Sequence, residues 1–543
     1  HTAIFEYGER LDGVEVKGSQ GGEGKSSMNK LISITLYTNP ELKKRNPTYV
    51  MKVHFVYDNS LCKGISNNRN KKFENTVKHD LKNSGKLTLQ EVYFTYNGSS
   101  KSARNRYRFD YKENNPDFNP NYHLKANNRW GTYKPENANP NNLTNAEYPY
   151  VLQDKTNEDV YVSAWSLRQI DLPSGASMNI DYESDSYEYV QDRKAMQMFT
   201  IKGFSTEANT PLKSLSDQLY TGNGKQNSEE VNEYMYLEYS GINPDILKSI
   251  VKDIKLKHKG YVSFNCMVDI DNKDHYESVR GYGKIEGYGM NTSSQNSFWI
   301  KFEETETGCA KEVKTHPISL TAINFGKLYM MSMFTNSDCP DDLADLKMGN
   351  INQFKAMWQT NTTKSDDNFL FRCFNNWLVE KGGCKSVKLD ESFVRLFSPT
   401  EKLGGGSRVK KITIHDSWNK MTEGSESIYG KEYTYHKGVA SYEPLFGGDE
   451  NPFKQPVTYS VDNKLLGIKM APSVDYMQEE PIGEIHFPSA QVVYTKVTEK
   501  NLAKKDIKRN ATGKTVYTHY TSKDFPTICK KTTLNPVVRK GGA

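Results

Sequence analysis

The sequence predicts a mainly β protein, with an antiparallel β-sheet body and an inserted α+β module. Three observations lead to this prediction. Apolar and polar residues alternate along many short stretches, which is typical of half-buried strands. Turns that contain Gly or Pro separate these stretches. Tyrosine is abundant, with 34 of 543 residues, and its ring fits a pleated surface while its hydroxyl stays near water. We therefore expect wide sheets with hydrated faces.

The segment from Ala164 to Phe204 shows the pattern most clearly. The turn Pro173-Ser174-Gly175 divides it, and this chemistry favours an antiparallel hairpin with one buried face. A further run through residues 187–200 is expected to extend the meander. Apolar residues alternate with polar ones on both sides of the turn: Ile170, Leu172, Met178, Ile180 and Tyr182.

The pattern divides the chain into four parts. Residues 1–29 are rich in Gly and Ser and predict a flexible N-terminal segment, with a strand before a loop. Residues 30–204 and 401–543 carry the strand-and-turn pattern, and residues 205–400 predict the α+β insertion module.

Within the insertion, Asn243-Pro244 is a helix start signal ahead of apolar residues at helical spacing. We expect helices at 211–220, 245–254, 317–331, 341–358 and 366–380, and strands at 261–267 and 299–302.

Charge and hydropathy argue against two functional classes. The net charge is only +6, and basic residues are interspersed with acidic ones, so the clustered basic surface of a nucleic-acid-binding protein is not indicated. The mean hydropathy is -0.76, and no apolar run is long enough to predict a transmembrane segment. The chain starts at His1 without a signal peptide, so we expect a processed or internal piece of a longer protein.

The seven cysteines leave the pairing open. An odd number cannot pair completely within the chain. Cys373 could bridge to Cys384, and Cys309 to Cys339, but buried free thiols are at least as well supported. The sequence has no C-x-x-C spacing, which argues against a structural zinc site.

Three loops resemble ligand-binding motifs, and a plain structural interpretation is favoured for each. Residues 18–27 lack the Gly spacing and the following helix of a phosphate-binding loop, so a linker is favoured. Residues 269–277 begin like a calcium loop, but Lys273 and Asp274 break the pattern, so an acidic turn is favoured. Asp449 and Glu450 in residues 446–453 could hold calcium, although a structural turn is favoured. No cofactor or metal site is predicted.

No catalytic signature is present either. The sequence lacks a nucleophile elbow and an H-E-x-x-H motif. Glu183 and Asp185 are a pair of carboxylates, but sequence spacing cannot place them around a glycosidic bond. Trp130 and Trp165 could be platforms for stacking sugars, and packing in an aromatic core is favoured over that role. We therefore predict no catalytic, cofactor-binding or metal-binding residues, and we expect that the protein is not an enzyme.

Several segments resemble a known family. Residues 167–183, LRQIDLPSGASMNIDYE, and the pair RVKKITI (408–414) and YGKEYTY (429–435) resemble YD/Rhs-type repeats. Longer motifs are similar to a group of large, uncharacterised, secreted Rhs-like bacterial proteins: RWGTYKP (129–135), DYESDSYEYVQDRKAMQMF (181–199), YEPLFGGDENPFKQP (442–456), GEIHFPSAQVVYTKV (483–497) and ATGKTVYTHYTSKDFPT (511–527).

This resemblance implies a structural role. The chain would be a segment of a secreted or cell-surface protein whose sheets build a shell or scaffold that can enclose or present an effector domain. The implied partners are flanking parts of the same long polypeptide, an enclosed effector domain or other surface proteins. The alternative is a surface carbohydrate-binding or carbohydrate-cleaving β module.

A separate prediction concerns the C-terminal strands. We predict that residues 483–527 do not end a domain, that Val492, Tyr494 and Val497 pair with local strands, and that residues 516–520 form a hairpin arm. A self-contained terminal cap is the alternative.

Overall fold

The computed structural model describes residues 1–17, 22–68, 84–97, 99, 104–111, 119–221, 231–239, 241–257, 259–306, 314–330, 375–376, 378–379, 381–420, 422–424, 426–443, 457–459, 462–463, 468–469, 474–476, 491–502 and 513–526. The chain forms two compact units. Unit 1 comprises His1–Tyr187, Leu403–Val439 and Ala490–Thr521, and unit 2 comprises Glu188–Lys402, Ala440–Ser489 and Ser522–Ala543.

The described residues are mainly antiparallel β structure, as the sequence predicts. The strands are β1 Thr2–Lys17, β2 Gly22–Tyr37, β3 Met51–Leu61, β4 Lys86–Tyr96, β5 Tyr107–Asp110, β6 Gln169–Asp171, β7 Ser177–Tyr187, β8 Tyr189–Val190, β9 Arg193–Lys194, β10 Met196–Ser205, β11 Tyr234–Glu238, β12 Tyr261–Asp269, β13 Tyr276–Met290, β14 Ser297–Phe302, β15 Thr305–Glu306, β16 Lys314–Thr315, β17 Val387–Phe397, β18 Lys402–His415, β19 Ile428–Ala440, β20 Val457–Tyr459, β21 Asp462–Asn463, β22 Ile468–Lys469, β23 Val474–Tyr476, β24 Val492–Asn501 and β25 Lys514–Thr518.

The α-helices among the described residues are short: α1 Asn39–Leu42, α2 Lys155–Val162, α3 Pro244–Lys257 and α4 Pro317–Tyr329. None of these helices has the length and apolar character that crossing a membrane requires.

Unit 1 is built around one large sheet. Its strands lie in the order β1-β2-β3-β4-β5-β6-β7-β18-β19-β24-β25. Each of the strands β1 to β6 pairs antiparallel with the next strand along the chain, so β1 to β7 form a simple meander.

The N-terminal prediction is right about a strand, which β1 forms, and wrong about most of the flexible remainder. Residues 1–29 were expected to be a flexible segment, but β1 and the start of β2 occupy most of them and pair with each other. The glycines and serines of residues 22–27 are accommodated in β2, where Ser27 pairs with Val14. The phosphate-loop interpretation fails for the same reason, because Gly24-Lys25-Ser26 lies in a strand and not at the start of a helix.

The predicted hairpin at residues 169–182 is confirmed in its pairing, but its predicted buried face is wrong, because Ile170, Leu172, Met178, Ile180 and Tyr182 all remain partly exposed. Ile170 in β6 pairs with Met178 in β7, and Gly175 in the turn has a φ of +90°, a conformation that glycine adopts without strain. The predicted extension of this meander through residues 196–200 is wrong. Strand β10, which contains them, pairs with β11 and β17 in unit 2.

Unit 2 contains a closed barrel in the order β10-β11-β14-β13-β12-β17. Helices α3 and α4 pack against its strands β12 and β13. The core of the unit is apolar, and its large fully buried side chains include Phe199, Phe204, Phe264, Phe298 and Phe302.

Local signals within residues 205–400 predict several elements correctly. Helix α3 starts as expected, because Asn243 Oδ1 accepts a hydrogen bond from the Ile246 N–H at 2.9 Å. Helix α4 and strands β12 and β14 also lie where the sequence predicts them. The helix predicted at 211–220 is wrong, since only Leu212–Ser214 forms a short 3-10 turn and Tyr220 makes a β-bridge to Val231.

The remaining predictions for this region are only partly covered by the structure. The helix at 341–358 lies outside the described residues, and 366–380 is described only at 375–376 and 378–379, which are helical. Unit 2 also starts earlier than the predicted module, and it takes in residues 440–489 and 522–543.

The cysteines within the described residues are free and buried: Cys62, Cys266 and Cys384. Because Cys384 is free, the possible bridge from Cys373 to Cys384 is not formed, and Cys373 itself lies outside the described residues. Cys309 and Cys339 lie outside the described residues.

A buried histidine begins helix α4. His316 Nδ1 accepts a hydrogen bond from the Ile318 N–H at 3.1 Å, which satisfies one of the helix's first amide groups. Its ring lies edge-to-face between Phe204 and Phe302, at 5.5 and 5.4 Å between centroids. Burial lowers the pKa of His316 to about 3. The neutral ring is therefore part of the fold.

We expect the stability of unit 2 to decrease as the pH falls below 6.5, the ordinary pKa of a histidine, and to continue decreasing towards about 3. The unfolded chain binds a proton in this range while the folded ring does not, which costs on the order of 1 kcal/mol per pH unit. His316→Asn keeps a capping oxygen and removes the titration, so its unfolding free energy in urea should depend less on pH. His519→Asn, at an exposed position, is the control. Equal pH slopes for wild type and His316→Asn would contradict the prediction.

Candidate functional site

A cluster of buried and half-buried polar side chains joins β7, β18, β19 and β24 in unit 1. We call it the Arg408 cluster, and it comprises Glu183, Asp185, Arg408, Tyr435 and Tyr494. The Arg408 guanidinium lies against two tyrosine rings, 4.6 Å from the centroid of Tyr435 and 4.8 Å from that of Tyr494. Its Nε donates to Glu183 Oε1 at 2.8 Å. The cation is thus held by one carboxylate and two aromatic faces.

The Tyr494 hydroxyl connects the other members of the cluster. It donates to Asp185 Oδ1 at 2.7 Å and accepts hydrogen bonds from the Ser186 N–H at 3.1 Å and from Arg408 Nη1. Burial raises the pKa of Asp185 and of Tyr494. Burial acts on Glu183 in the same direction, but the hydrogen bond and the charge of Arg408 outweigh it, so the pKa of Glu183 is lowered.

The sequence before Arg408 explains how the chain reaches this position. Gly404, Gly405 and Gly406 have φ values of +141°, +113° and +138°, which favour glycine. A Cβ atom on Gly405 would lie 2.3 Å from Val492 Cγ2, and one on Gly404 would lie 2.7 Å from Trp130 Nε1. Side chains at these positions would therefore push β18 away from its neighbours.

The Arg408 cluster contains the pair of carboxylates that the sequence analysis considered as possible catalytic acids. Glu183 and Asp185 do lie side by side on β7, but Glu183 is bound to Arg408 and Asp185 to Tyr494. Both carboxylates are therefore engaged in a buried intramolecular network. Such an arrangement fixes strands relative to one another and does not provide an acid and a base that face a substrate.

We expect Arg408→Met to destabilise unit 1 by up to about 3 to 5 kcal/mol, because it removes the more buried of the two cations at the Glu183 carboxylate and leaves it only Lys155 Nζ, at 3.2 Å. Tyr494→Phe should cost about 1 to 3 kcal/mol through the lost hydrogen bonds. The measurement is urea unfolding followed by circular dichroism.

Lys411→Met is the matched control, since Lys411 also lies on β18 and pairs with Asp181 of β7 at 3.1 Å, but both side chains are largely exposed. It should cost less than about 1 kcal/mol. Equal losses for Arg408→Met and Lys411→Met would show that the buried cluster has no special role.

A second buried pair lies in the segment that contains residues 119–165. Lys134 is fully buried, and its Nζ donates to the carbonyl oxygens of Tyr148 and Tyr150 at 2.7 and 2.6 Å. Glu158 on α2 is also buried, and its Oε2 has no hydrogen-bond partner among the described residues. Burial lowers the pKa of Lys134 to about 8 and raises that of Glu158 to about 7.

This pair was not found by sequence reasoning. The sequence indicates only that 114–142 is an irregular segment with a functional or covering role. Lys134 is one of many lysines, and nothing in its neighbours marks it as buried. The carbonyl oxygens that hold it come from residues 14 and 16 positions later.

We expect Glu158→Gln to change how the stability of unit 1 depends on pH. The folded pKa of Glu158 lies above the ordinary value of 4.5, so its contribution is fully present below 4.5 and is lost as the pH rises through about 7. The loss is on the order of 3 kcal/mol. Urea unfolding near pH 4.5 and at a mildly alkaline pH measures it.

Glu158→Gln should gain stability over the wild type at the alkaline pH and differ little at the acidic pH. The exposed Glu423 of the same unit provides the control, and Glu423→Gln should keep the pH dependence of the wild type. A Glu158→Gln variant with the wild-type pH profile would refute the assignment.

The two candidate sugar platforms are packed against other aromatic rings. Trp165 Nε1 donates to the Pro120 carbonyl at 2.9 Å, and its ring is edge-to-face with Tyr133 at 5.5 Å. Trp130 is edge-to-face with Tyr187 at 5.9 Å. Both indole rings are partly buried. This geometry favours the packing role for each.

The acidic loop at residues 269–277 is a turn between β12 and β13. Asp269 Oδ2 accepts a hydrogen bond from the Asp274 N–H at 3.2 Å, and His275 Nδ1 lies 2.7 Å from Asp271 Oδ2. The part of the chain that the structure describes contains no group of three His, Cys, Asp or Glu side chains placed to hold a metal ion. Residues 446–453 lie outside that part.

The meander β1 to β7 has two chemically different faces. One face, which we call the polar face, carries an ion and hydrogen-bond network. Glu6 accepts hydrogen bonds from Ser33 Oγ at 2.7 Å and from Lys52 Nζ at 3.2 Å. The network continues along this face with the stacked rings of His54 and Tyr93, 4.5 Å apart, and ion pairs from Arg106 and Arg108 to Glu91.

The opposite face, which we call the apolar face, carries aliphatic and aromatic side chains. Because paired residues on neighbouring strands point to the same side of a sheet, the register aligns these side chains in rows. Each of them keeps part of its surface exposed. The rows are Ala3-Leu36-Met51-Tyr96, Phe5-Ile34-Val53-Phe94, Phe55-Val92-Tyr107 and Phe109-Ile170-Met178.

Comparisons of the chain with protein-family models, with curated protein sequences and with solved structures return no match.

Proposed function

We propose that the chain is a structural segment of a large Rhs-like protein, secreted or held at the cell surface. The unit 1 sheet would form part of a shell or scaffold that encloses or presents an effector domain. The observation that carries the proposal is the sequential meander of unit 1, in which strands of 11 and 16 residues lie side by side in chain order. A wall can be extended indefinitely by adding strands in this way.

The outer strands supply the argument about partners. Among the described residues, β1 pairs with β2 alone and β25 with β24 alone, so each has a second edge available for pairing. An exposed strand edge presents backbone donors and acceptors that favour pairing with another strand. In the proposed wall, flanking parts of the same polypeptide supply those strands.

The Arg408 cluster supports a mechanical role. Its members lie on strands that are far apart in sequence, and Glu183 and Arg408 are 225 positions apart. A buried network of this kind is costly to break, since removal of either partner leaves an uncompensated charge. It would hold the wall in one arrangement where the strand order jumps from β7 to β18.

The test is a cryo-EM map of the intact natural polypeptide. We expect further strands hydrogen-bonded along Thr2–Lys17 and along Lys514–Thr518, as parts of one continuous sheet. A map in which both edges face solvent in a freestanding body would overturn the proposal. Glycan-array binding that disappears in Trp130→Ala would replace it with the carbohydrate-binding alternative.

A further inference from the structure

The side chains of the apolar face of unit 1 remain partly exposed along the strands β1 to β7. On this face Ile34, Val53, Phe55 and Phe94 all remain partly exposed, whereas Ser33, Thr35 and Thr95 on the polar face are buried. A soluble sheet normally shows the reverse pattern, with the apolar side packed and the polar side hydrated. Large exposed apolar surfaces of this kind mark interaction sites.

We propose that the apolar face is an interface in which a second copy of this chain packs by the same face. The two sheets would stack face to face, about 10 Å apart, with their apolar rows interdigitating. A two-fold axis through the interface would bring each row of one copy against a row of the other. Such an isologous contact uses one surface patch on both copies.

The distribution of charge fits this partner. The charged residues of the central meander, Glu6, Lys52, Glu91, Arg106 and Arg108, form their network on the polar face. The rows of the apolar face contain no charged residue. A two-fold contact places identical groups near one another, so a charged group would meet its own sign and cost affinity. Uncharged rows avoid this cost.

The area of the apolar face is also large enough for a stable interface between two copies. The four long strands β1 to β4, spaced about 4.8 Å apart, give a width of roughly 19 Å, and their length of at least 11 residues gives about 36 Å. The product is roughly 700 Å² of flat sheet, close to the ~800 Å² per partner of a stable protein interface. The side chains at its centre are aromatic and aliphatic, as in the cores of homodimer interfaces.

Other partners fit the surface less well. A membrane-binding face usually combines apolar residues with nearby basic ones that attract anionic lipid headgroups, but Lys52, Arg106 and Arg108 belong to the opposite face. A single peptide strand would add to the edge of the sheet and would leave the face uncovered. A second sheet has the same strand spacing and can cover all the rows.

The experiment measures the mass of the whole chain in solution by sedimentation velocity and light scattering at micromolar concentrations. We expect twice the monomer mass of 62.0 kDa. The double variant Phe5→Lys/Tyr96→Lys should weaken the dimer about tenfold or more, because it places cations in an apolar interface. Both positions are already about half exposed, at 50% and 49%, so folding should tolerate them.

Ile4→Lys is the matched control. Ile4 is the neighbour of Phe5 on β1 and is 46% exposed, but it points to the polar face, so the dimer should persist. Circular dichroism and thermal melting check that each variant folds, and Phe5→Ser provides a milder second variant. A monomeric wild type would overturn the proposal, and so would equal effects of Ile4→Lys and the double variant.

A monomer that binds vesicles of phosphatidylcholine and phosphatidylglycerol would overturn the dimer proposal in favour of binding to a lipid surface. The inference stands on the apolar face alone and does not depend on the proposed scaffold role. Its failure would leave the edge pairing of β1 and β25 unaffected, and open edges in the intact protein would leave the dimer unaffected.

Discussion

The segregation of charged and apolar side chains onto opposite faces of β1 to β7 is the constraint on which unit 1 depends. Side chains alternate along a strand, so a shift of one residue in any pairing would exchange the faces. Pairs such as His54 with Tyr93 and Val53 with Phe94 therefore specify the register from both sides. The ion network of Glu6, Ser33 and Lys52 adds directional contacts across three strands. Register in this meander is thus fixed by its side chains as well as by its turns.

The two units achieve their internal order by different means. Unit 2 has an apolar core in which Phe199, Phe298 and other large side chains fill a closed barrel, and closure removes sheet edges. Unit 1 relies on the Arg408 cluster and on the buried Lys134 amine, whose contacts are polar and directional. Hydrophobic packing tolerates small adjustments of shape, whereas buried polar contacts lose most of their value when one partner moves. Unit 2 also has one buried polar group of this kind, in which Glu443 pairs with Lys402 and Arg395, so the two units differ in degree.

Elements governed by neighbouring residues could be predicted from the sequence. The turn at Gly175 defines the β6–β7 hairpin, and the Asn243 cap defines the start of α3. The predictions are wrong where contacts between residues far apart in the sequence determine the structure. Alternation identifies residues 196–200 as a strand, but it cannot tell which sheet that strand joins. The Gly-rich stretch before Met28 suggests a linker, yet pairing with β1 extends it into a strand.

The polar clusters were missed for the same reason. Asp185 and Tyr494 are 309 residues apart, and no local pattern connects them. The sequence draws attention to Glu183 and Asp185 as possible acids, but it gives no sign that a tyrosine and an arginine would bind them. The two-residue spacing of Glu183 and Asp185 indicates which side chains they contact only once the neighbouring strands are known.

The buried thiols have a consequence for following the molecule in solution. Alkylating reagents attack the thiolate, and burial both raises the pKa of Cys62, Cys266 and Cys384 and shields their sulfur atoms. These cysteines become reactive only when the surrounding structure opens. Cys62 belongs to unit 1, whereas Cys266 and Cys384 belong to unit 2. The rate at which each of these thiols is alkylated therefore reports, separately for unit 1 and unit 2, how often the surrounding structure opens.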